Sequence, residues 1–222
     1  MKKKRKEMLE VTEVFKSIMG EGAYVGATAV FVRFSRCNLR CSFCDTRYSW
    51  GSGRLVEVKE LIHEIEKLLP AELVVLTGGE PLLQDSKEIL ELCRELRPEK
   101  LLIETNGTVA PPRELVDAID VWSISPKLKN SGQVVDYGDF EWVKHAKEWY
   151  FKFVVVRPEE DVPEVERFIA GKMVSPSRVF LQPANINGGD YIGRAKTLAD
   201  YCLKRGLTFR VVPQLHVILG MK

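Results

Sequence analysis

Short apolar segments alternate with amphipathic segments along almost the whole chain of 222 residues. The apolar segments are rich in Val, Ile, Leu and Phe, which is typical of strands that are buried on both faces of a parallel sheet. In residues 58–69, by contrast, the apolar side chains recur at the spacing of one helix face. Repeated strand–helix units predict right-handed crossovers and therefore a parallel sheet. The predicted strands are residues 28–34, 73–76, 101–104, 121–124, 150–156, 178–181 and 207–212.

Helices are predicted between these strands, because the intervening segments each have one apolar face. With about six strand–helix units, the α/β fold is either an open doubly wound sheet or an incomplete barrel. Residues 128–147 fit neither pattern, and we interpret them as an excursion from a single domain. The predicted helices are residues 58–69, 86–97, 113–119, 163–170 and 190–205.

Polar segments follow five of the predicted strands, at the point where each strand ends. Because the carboxyl ends of parallel strands share one edge, these segments predict a single cavity. Gly, Pro and Asn are also ordinary turn residues, so each segment taken alone is compatible with a simple turn. A turn does not require the charged residues that the segments also carry, namely Glu80, Glu104, Lys127 and His216. The segments are TGGEP (77–81), ETNGT (104–108), SPK (125–127), QPAN (182–185) and PQLH (213–216).

The basic excess of the chain is confined to its start, MKKKRK, where residues 2–6 are all Lys or Arg. The 33 basic and 31 acidic residues give a formal net charge of +2, which becomes −3 when residues 2–6 are left out. We therefore expect a flexible basic tail over residues 1–10, one globular domain over residues 11–222, and no direct nucleic-acid binding. No apolar run approaches the roughly 20 residues that span a bilayer, so no membrane partner is expected. An apolar signal core is also lacking, which favours a cytoplasmic location.

Three of the five cysteines lie within eight residues, in the segment CNLRCSFC. An odd number of cysteines without a signal peptide argues against a disulfide framework and favours a reducing compartment. Cys93 and Cys202 lie in predicted helices, where buried structural thiols are expected. The remaining three, Cys37, Cys41 and Cys44, are spaced so that their thiolates can surround one metal centre.

Two kinds of metal centre are compatible with three thiolates in one loop. Structural zinc takes four ligands, usually as two separated pairs, but no second pair exists, and His63 and His145 are not spaced as partners. A 4Fe–4S cluster held by three thiolates leaves one iron open for a ligand that is not protein. The pattern favours such a cluster, which would be a reaction centre, while zinc with a further unseen ligand stays open.

The spacing Cys-x3-Cys-x2-Cys, with Phe43 before the last cysteine and TGGEP after the next strand, resembles the radical S-adenosylmethionine (SAM) enzymes. In that superfamily, the amino and carboxylate groups of SAM bind the open iron of the cluster. One electron then cleaves SAM to methionine and a 5′-deoxyadenosyl radical, which abstracts hydrogen from the substrate. The resemblance implies that Glu80 receives the SAM ammonium beside Gly79.

From about residue 11 to the C-terminus, the chain is similar to the 7-carboxy-7-deazaguanine synthases. The resemblance rests on FKSIMGEG (15–22), CDT (44–46), TGGEPLLQ (77–84) and the order of the polar segments. It implies a homodimer of incomplete TIM-like barrels, each with about six parallel strands and flanking helices. It further implies conversion of 6-carboxy-5,6,7,8-tetrahydropterin to 7-carboxy-7-deazaguanine with loss of ammonia, on the route to queuosine or archaeosine in tRNA. Mg²⁺ and an electron donor of unknown identity assist that reaction.

The family's cluster and SAM residues carry over onto this chain position by position. Cys37, Cys41 and Cys44 would hold the cluster as the catalytic residues, and Thr46 would bind Mg²⁺. Thr46 is also suited to a helix N-cap, which is its alternative role. The implied SAM contacts are Phe43, Asp45, Gly79, Glu80, Ser125, Pro126, Lys127, Gln182, Pro183, Ala184 and Asn185.

Most of the implied substrate residues lie near the two ends of the chain. Arg33 would pair with the substrate carboxylate, since a guanidinium suits planar carboxylates, and its alternative is a surface ion pair. Glu21 would accept hydrogen bonds from the amino-pyrimidinone edge of the pterin. His216 would approach the pterin, and its alternative is a structural role. The implied set is Ile18, Met19, Gly20, Glu21, Arg33, Thr77, His216 and the carboxylate of Lys222.

Two other functions are compatible with parts of the sequence. A radical SAM activase, which installs a glycyl radical on a partner enzyme, shares the Gly-Glu-Gly start and the three-cysteine loop. The ETNGT, SPK and PQLH segments favour a small-molecule site instead. A zinc-stabilised RNA-binding module would use the basic tail but would leave the polar segments unexplained.

Overall fold

The computed structural model describes residues 8–96, 98–186 and 189–222, and one nine-stranded sheet runs through them. The strands are β1 (Met8–Ile18), β2 (Thr28–Phe34), β3 (Arg54–Glu57), β4 (Leu73–Gly78), β5 (Lys100–Thr105), β6 (Val121–Ile124), β7 (Glu148–Val155), β8 (Val179–Pro183) and β9 (Arg210–Val211). Neighbours in the sheet follow the order β3-β1-β2-β4-β5-β6-β7-β8-β9. From β2 to β9 every neighbouring pair is parallel, whereas β1 is antiparallel to both β2 and β3.

This mostly parallel, open sheet is the incomplete barrel that the resemblance implied, with β3 and β9 as its outer strands. Each predicted strand is present, with bounds shifted by at most a few residues. Strands β1 and β3 are absent from the sequence prediction. Residues 8–10, which that prediction places in the tail, begin β1, and Leu9 in this stretch is fully buried. The rest of the predicted tail, residues 1–7, lies outside the described residues.

Helices follow the strands much as the sequence predicts. They are α1 (Val58–Glu66), α2 (Ser86–Glu95), α3 (Arg113–Ala118), α4 (Pro158–Gly171), α5 (Tyr191–Lys204) and α6 (Leu215–Leu219). Asp85 caps α2 by accepting a hydrogen bond from the N–H of Lys87 at 3.0 Å. None of the described helices is long and apolar enough to cross a membrane.

The start of α4 differs from the sequence prediction. This helix begins at Pro158 rather than at residue 163, because a proline in the first position and the acidic residues that follow it stabilise a helix start. Residues 128–147 contain no α-helix or strand, in agreement with their interpretation as an excursion. They form only two short 3₁₀ turns, at Lys129–Ser131 and Glu141–His145.

The two faces of the sheet have different partners. Outward-pointing side chains such as Val32 and Leu76 pack against the helices and belong to the larger hydrophobic core. Inward-pointing side chains such as Phe31 and Val75 form a smaller apolar cluster inside the barrel. Both faces are therefore buried, which explains why the strands are apolar almost throughout.

The inner face of the barrel changes from apolar to polar along the strands. Alternate residues of a strand share one face, and paired residues of parallel neighbours share it too. Strands β2 and β4 pair Phe31 with Val75 and, two residues later, Arg33 with Thr77. On β7, the buried Lys152 lies on the same face, two residues beyond Tyr150, which is level with Thr77 in the register of the sheet. The polar residues therefore meet at the carboxyl edge, above an apolar interior.

Replacing Leu76 by Ala should lower the free energy of unfolding by about 2–5 kcal/mol, because it empties a fully buried position between sheet and helices. Urea unfolding of the protein without cofactors measures this change. Leu203→Ala is the matched control, since Leu203 is 76% exposed, and it should change the free energy by less than about 0.5 kcal/mol. Equal losses in the two variants would contradict the position of Leu76 in the core.

Candidate active site

A cavity of about 230 Å³ opens at the carboxyl edge of the parallel strands. It is lined by residues from each of the five polar segments and from the loop that carries the three cysteines. Most predicted site residues line it, namely Ile18, Met19, Gly20, Glu21, Arg33, Cys37, Cys41, Phe43, Cys44, Asp45, Thr46, Thr77, Gly79, Ser125, Lys127, Gln182, Asn185, His216 and Lys222. The predicted residues Glu80, Pro126, Pro183 and Ala184 are buried and are not among the described residues that line it.

The three clustered cysteines lie in the loop that follows β2, and their thiols are free. The backbone N–H of Leu39 donates to Sγ of Cys37 at 3.4 Å, and Nδ2 of Asn106 lies 3.9 Å from the same sulfur. Burial raises the pKa of the Cys37 and Cys41 thiols, whereas the nearby ammonium of Lys127 lowers it. Free thiols next to a cation and N–H donors fit an iron–sulfur cluster, whose properties depend on such neighbours.

The end of β4 packs directly against the start of the cysteine loop. The N–H groups of Gly79 and Glu80 donate to the carbonyl oxygens of Phe34 and Arg36, at 3.0 and 2.7 Å. A Cβ atom on Gly79 would lie 1.9 Å from the carbonyl oxygen of Arg36. The close approach of the two backbones therefore requires glycine at this position.

Glu80 faces the protein interior in this structure. Its carboxylate accepts hydrogen bonds from the N–H of Leu82 at 3.0 Å, the hydroxyl of Thr105 at 2.7 Å and the N–H of Asn106 at 2.7 Å. Burial raises the pKa of this carboxyl, and the hydrogen bonds from Asn106 and Thr105 lower it. Glu80 thus joins the end of β4 to the end of β5, and its contact with a SAM ammonium stays a prediction.

The SPK segment brings a cation to the same side of the cavity. Nζ of Lys127 donates to the carbonyl oxygen and to the hydroxyl of Ser125, each at 2.8 Å. The backbone N–H of Lys127 donates to the hydroxyl of Tyr137 at 2.6 Å. Burial lowers the pKa of Lys127, whereas the neighbouring Cys41 raises it.

The floor of the cavity carries an ion-pair network that the sequence analysis does not contain. Lys152 donates a hydrogen bond to Oε2 of Glu21 and lies 3.7 Å from Oε1 of Glu104. Gln182 and Gln214 donate to Oε1 of Glu21 at 3.2 and 2.6 Å. The available sequence signal was the single charge in the otherwise apolar run WYFKFVVV, since a buried charge requires a partner.

Arg33 lines the cavity and is ion-paired at the same time. Its Nε donates to Oε1 of Glu13 at 2.9 Å, and its guanidinium lies 5.7 Å from the ring centroid of Phe15. The hydroxyl of Tyr48 donates to the same carboxylate oxygen at 2.9 Å, and the ammonium of Lys222 pairs with the other oxygen. The ion pair that was the alternative role of Arg33 is thus present, and it does not remove Arg33 from the cavity.

The C-terminal segment docks on the loop that follows β1. The backbone N–H of Leu215 donates to the carbonyl oxygen of Gly20 at 2.9 Å. A Cβ atom on Gly20 would lie 1.9 Å from Nδ1 of His216, so the imidazole packs against bare backbone. One oxygen of the main-chain carboxylate of Lys222 accepts a hydrogen bond from the hydroxyl of Ser17 at 2.7 Å. Residues from the two ends of the chain are therefore neighbours at the cavity.

Thr46 precedes the 3₁₀ turn Arg47–Trp50, but its side chain makes no capping hydrogen bond. Its hydroxyl lies 3.7 Å from Sγ of Cys44 and lines the cavity together with the exposed Asp45. A hydroxyl and a carboxylate are oxygen ligands of the kind that Mg²⁺ takes, with water completing the shell. The residues present therefore fit that ion, whereas the capping role of Thr46 is not observed.

A second group of ligand atoms lies nearby. Glu21, Asp45 and His216 offer atoms that lie within 4.8 Å of one another. Both carboxylate oxygens of Glu21 already accept hydrogen bonds, including one from the ammonium of Lys152. A cation at this position would compete with that ammonium, so we assign no metal ion to the group.

Trp50 lines the cavity beside the cysteine loop. The guanidinium groups of Arg40 and Arg47 lie 5.1 and 5.7 Å from its ring centroid, within the range of cation–π attraction. Arg40 also donates to the carbonyl oxygen of Cys37 at 2.6 Å. The aromatic ring and the cysteine loop are thus held together by the same arginine.

Comparison with protein-family profiles matches residues 31–126 to the Radical SAM superfamily. This segment runs from β2 through the cysteine loop and TGGEP to the start of SPK. Among solved structures, QueE from Escherichia coli superposes with a TM-score of 0.69 at 23% identity. The match covers 94% of this chain and 95% of that chain, and it supports the fold.

Similar proteins named 7-carboxy-7-deazaguanine synthase match almost the entire chain. The one from Bacteroides thetaiotaomicron is 44% identical over 215 residues, which cover 97% of this chain and all of that protein. The one from Pyrobaculum aerophilum is 38% identical over 213 residues, covering 95% of this chain and 94% of that protein. The one from Aquifex aeolicus is 34% identical over 226 residues, covering 99% and 97%.

Replacing Gly79 by Ala should reduce the iron that the protein binds on anaerobic reconstitution, because the added Cβ would collide with the carbonyl of Arg36 and displace the cysteine loop. We expect a stability loss on the order of 1–3 kcal/mol from this overpacking. Iron per chain and urea unfolding measure the two effects. Gly138→Ala is the control, since a Cβ there meets no atom within 4 Å. Unchanged iron content in Gly79→Ala would refute the steric argument.

Proposed function

The chain belongs to the 7-carboxy-7-deazaguanine synthase family of the radical SAM superfamily. We propose that the cavity at the carboxyl edge of its parallel strands is the active site for that family's reaction. The reaction is the lyase conversion of 6-carboxy-5,6,7,8-tetrahydropterin to 7-carboxy-7-deazaguanine with loss of ammonia, in 7-deazapurine biosynthesis. The observation that carries the proposal is that the cysteine loop, TGGEP and the cationic Arg33 line one cavity. No observation on the described residues or the relatives favours the glycyl-radical activase.

Membership of the radical SAM superfamily implies a 4Fe–4S cluster and SAM. We propose Cys37, Cys41 and Cys44 as the cluster ligands, because all three thiols are free and line the cavity. The bound cluster supplies the electron that cleaves SAM, which starts the reaction by hydrogen abstraction. The proposed SAM side comprises Phe43, Asp45, Gly79, Ser125, Lys127, Gln182 and Asn185, with Glu80, Pro126, Pro183 and Ala184 buried behind them.

The proposed substrate side lies around β1, β2 and α6, and Asp45 of the cysteine loop borders it, since a carboxylate oxygen of Asp45 lies within 4.8 Å of ligand atoms of Glu21 and His216. Arg33 is suited to the substrate carboxylate, since Glu13 fixes the guanidinium through Nε. Glu21 offers a carboxylate to the amino-pyrimidinone edge, and its position is fixed by three side-chain donors. The rest of the proposed substrate set is Ile18, Met19, Gly20, Thr77, His216 and Lys222, all of which line the cavity.

The magnesium requirement is part of the proposal, with Thr46 as the protein ligand. Its support is that the Thr46 hydroxyl makes no capping hydrogen bond and that Thr46 and the neighbouring Asp45 both line the cavity. A hydroxyl, substrate oxygens and water form the kind of shell that Mg²⁺ retains. Its chemical contribution would be to hold and polarise the oxygen atoms of the substrate.

The larger context of the enzyme is proposed from the sequence and the family together. We propose one domain over residues 11–222, a homodimer, an electron donor of unknown identity, and a cytoplasmic location. The continuous sheet through the described residues supports the single domain. Free thiols that must reach the cluster in reduced form support a reducing compartment.

Anaerobic reconstitution tests the function directly. Protein with iron and sulfide, incubated with SAM, a reductant, Mg²⁺ and 6-carboxy-5,6,7,8-tetrahydropterin, should form 7-carboxy-7-deazaguanine and ammonia. Mass spectrometry of the products is the measurement, and omission of Mg²⁺ tests the metal separately. SAM cleavage without the deazaguanine product would reject the proposed substrate while leaving the superfamily chemistry intact.

Replacing Arg33 by Ala should raise KM for the carboxylated pterin about 10–100-fold, since a hydrogen-bonded charge pair contributes about 1.5–3 kcal/mol. Iron content should not change, because Arg33 does not touch a described cysteine side chain. Arg54→Ala is the matched control, as Arg54 pairs with Glu64 on the surface. An unchanged KM in Arg33→Ala would remove Arg33 from the substrate site.

A further inference from the structure

Lys152 is a nearly buried cation on the inner face of the barrel. It lies in the middle of β7, and only 10% of its side chain is exposed. Removing an ammonium from water is unfavourable unless opposite charges and hydrogen bonds replace the lost hydration. The sequence motifs predict no role for Lys152, so the reason for a charge in this apolar strand must lie in the groups that surround it.

Two carboxylates from different parts of the chain flank this ammonium. Oε2 of Glu21, from the loop after β1, accepts a hydrogen bond from Nζ of Lys152. Oε1 of Glu104, at the end of β5, lies 3.7 Å from the same nitrogen. All three residues line the cavity, and the group carries one net negative charge.

The hydrogen bonds around these carboxylates are unequal. Glu21 accepts three hydrogen bonds, one from Lys152 at Oε2 and two from Gln182 and Gln214 at Oε1, which leaves about one of its four lone-pair positions for a ligand. Glu104 accepts a hydrogen bond from Thr77 at Oε2, but its buried Oε1 has no hydrogen-bond partner among the described residues. An unengaged buried acceptor at a cavity wall is costly unless a ligand or water engages it.

We propose that Lys152 is a positioning residue that keeps Glu21 and Glu104 ionised and side by side, so that both act as acceptors for N–H groups of the substrate. The proposal rests on the proposed function, since the amino-pyrimidinone part of the pterin supplies those N–H groups. A protonated carboxyl would have one oxygen turned into an O–H donor, which cannot accept from those N–H groups, and it would have lost the negative charge that strengthens the remaining hydrogen bonds. The Lys152 cation thus ensures that the floor of the cavity presents hydrogen-bond acceptors to the substrate.

The charges around Lys152 support this role. Burial by itself would raise the pKa of Glu21, but the charge and hydrogen bond of Lys152, the hydrogen bond from Gln214 and the nearby His216 bring this pKa down to about 2. In turn, the two carboxylates raise the pKa of Lys152 above its ordinary value, against the effect of burial. The other titratable groups that face this network are Tyr150 on β7, Lys127 after β6, Tyr191 on α5, His216 on α6 and Asp45 in the cysteine loop.

Removal of the Lys152 ammonium should change how substrate affinity depends on pH. Two adjacent desolvated carboxylates cannot both ionise easily, so one of them would retain a proton at neutral pH. Substrate affinity would then be poorest at low pH and would improve as the pH rises through the raised pKa. In the unchanged protein, the low pKa of Glu21 leaves no such transition for that residue near neutrality.

The test compares Lys152→Met, Lys152→Arg and the double variant Lys152→Met/Glu104→Gln with the unchanged protein. Lys100→Met is the matched control, since Lys100 pairs with Glu148 and does not line the cavity. The first readout is the infrared C=O stretch of a protonated carboxylic acid, measured on protein without cluster or substrate. The second is the pH dependence of KM for the pterin in the reconstituted enzyme.

We expect an additional carboxylic-acid band at neutral pH in Lys152→Met relative to the other four proteins, since any band from the buried Glu80 is common to all five. We also expect KM of Lys152→Met to be about tenfold higher than normal at low pH, corresponding to one lost hydrogen bond to a charged group, and to fall as pH rises. Lys152→Arg should retain a normal pH profile. If Lys152→Met does not fold but the double variant does, the result supports the proposal, because removing the charge of Glu104 then compensates for the loss of the Lys152 cation.

Absence of the band in folded Lys152→Met, or its presence with unchanged KM, would overturn the proposal. Failure of both Lys152→Met and the double variant to fold would also overturn it, because Lys152 would then serve packing alone. The infrared measurement involves no substrate. If the enzyme forms no deazaguanine, the proposed function is refuted. The infrared band then still tests whether Lys152 keeps both carboxylates ionised.

Discussion

The parallel pairing of β2 with β4 is the constraint on which the rest of the site depends. It brings the start of the cysteine loop and the TGGEP segment together, through hydrogen bonds from the N–H groups of Gly79 and Glu80. Because the two backbones touch, the distance between the cysteine loop and the following motif is set by main-chain geometry rather than by side-chain rotamers. Glu80 then extends the same frame to β5, through its bonds to Thr105 and Asn106.

A second constraint acts inside the barrel, where charged groups replace apolar ones on the upper part of the inner face. Two of these charges pair with carboxylates from other strands or loops, namely Lys152 with Glu21 and Glu104, and Arg33 with Glu13. Breaking one such pair would leave an uncompensated buried charge, which costs more than the pair contributes. The polar upper part of the cavity is therefore stabilised by ion pairs between segments, above an apolar cluster that contains Phe31 and Val75.

The sequence was sufficient to predict the seven parallel strands, the shared rim and the cysteine loop, because each depends on local periodicity or on a short contiguous motif. It was insufficient for β1, whose half-exposed residues follow a basic stretch and do not form an apolar run. The inward orientation of Glu80 and the partners of Lys152 depend on contacts between segments that lie far apart in the chain. A sequence pattern within one segment cannot predict contacts of this kind. The site residues inferred by resemblance remain proposals, although most of them line one cavity.

Trp50 gives this architecture a practical consequence. Of the four tryptophans in the chain, it is the one that lines the cavity in the part that the structure describes. The centroid of its indole ring lies 5.1 and 5.7 Å from two guanidinium groups, those of Arg40 and Arg47 in the cysteine loop and the turn that follows it. An occupant on the side of the cysteine loop would alter both the hydration and the electric field at that ring. The fluorescence emission of Trp50 should therefore change when a ligand binds in the cavity, so that binding can be followed without an attached dye.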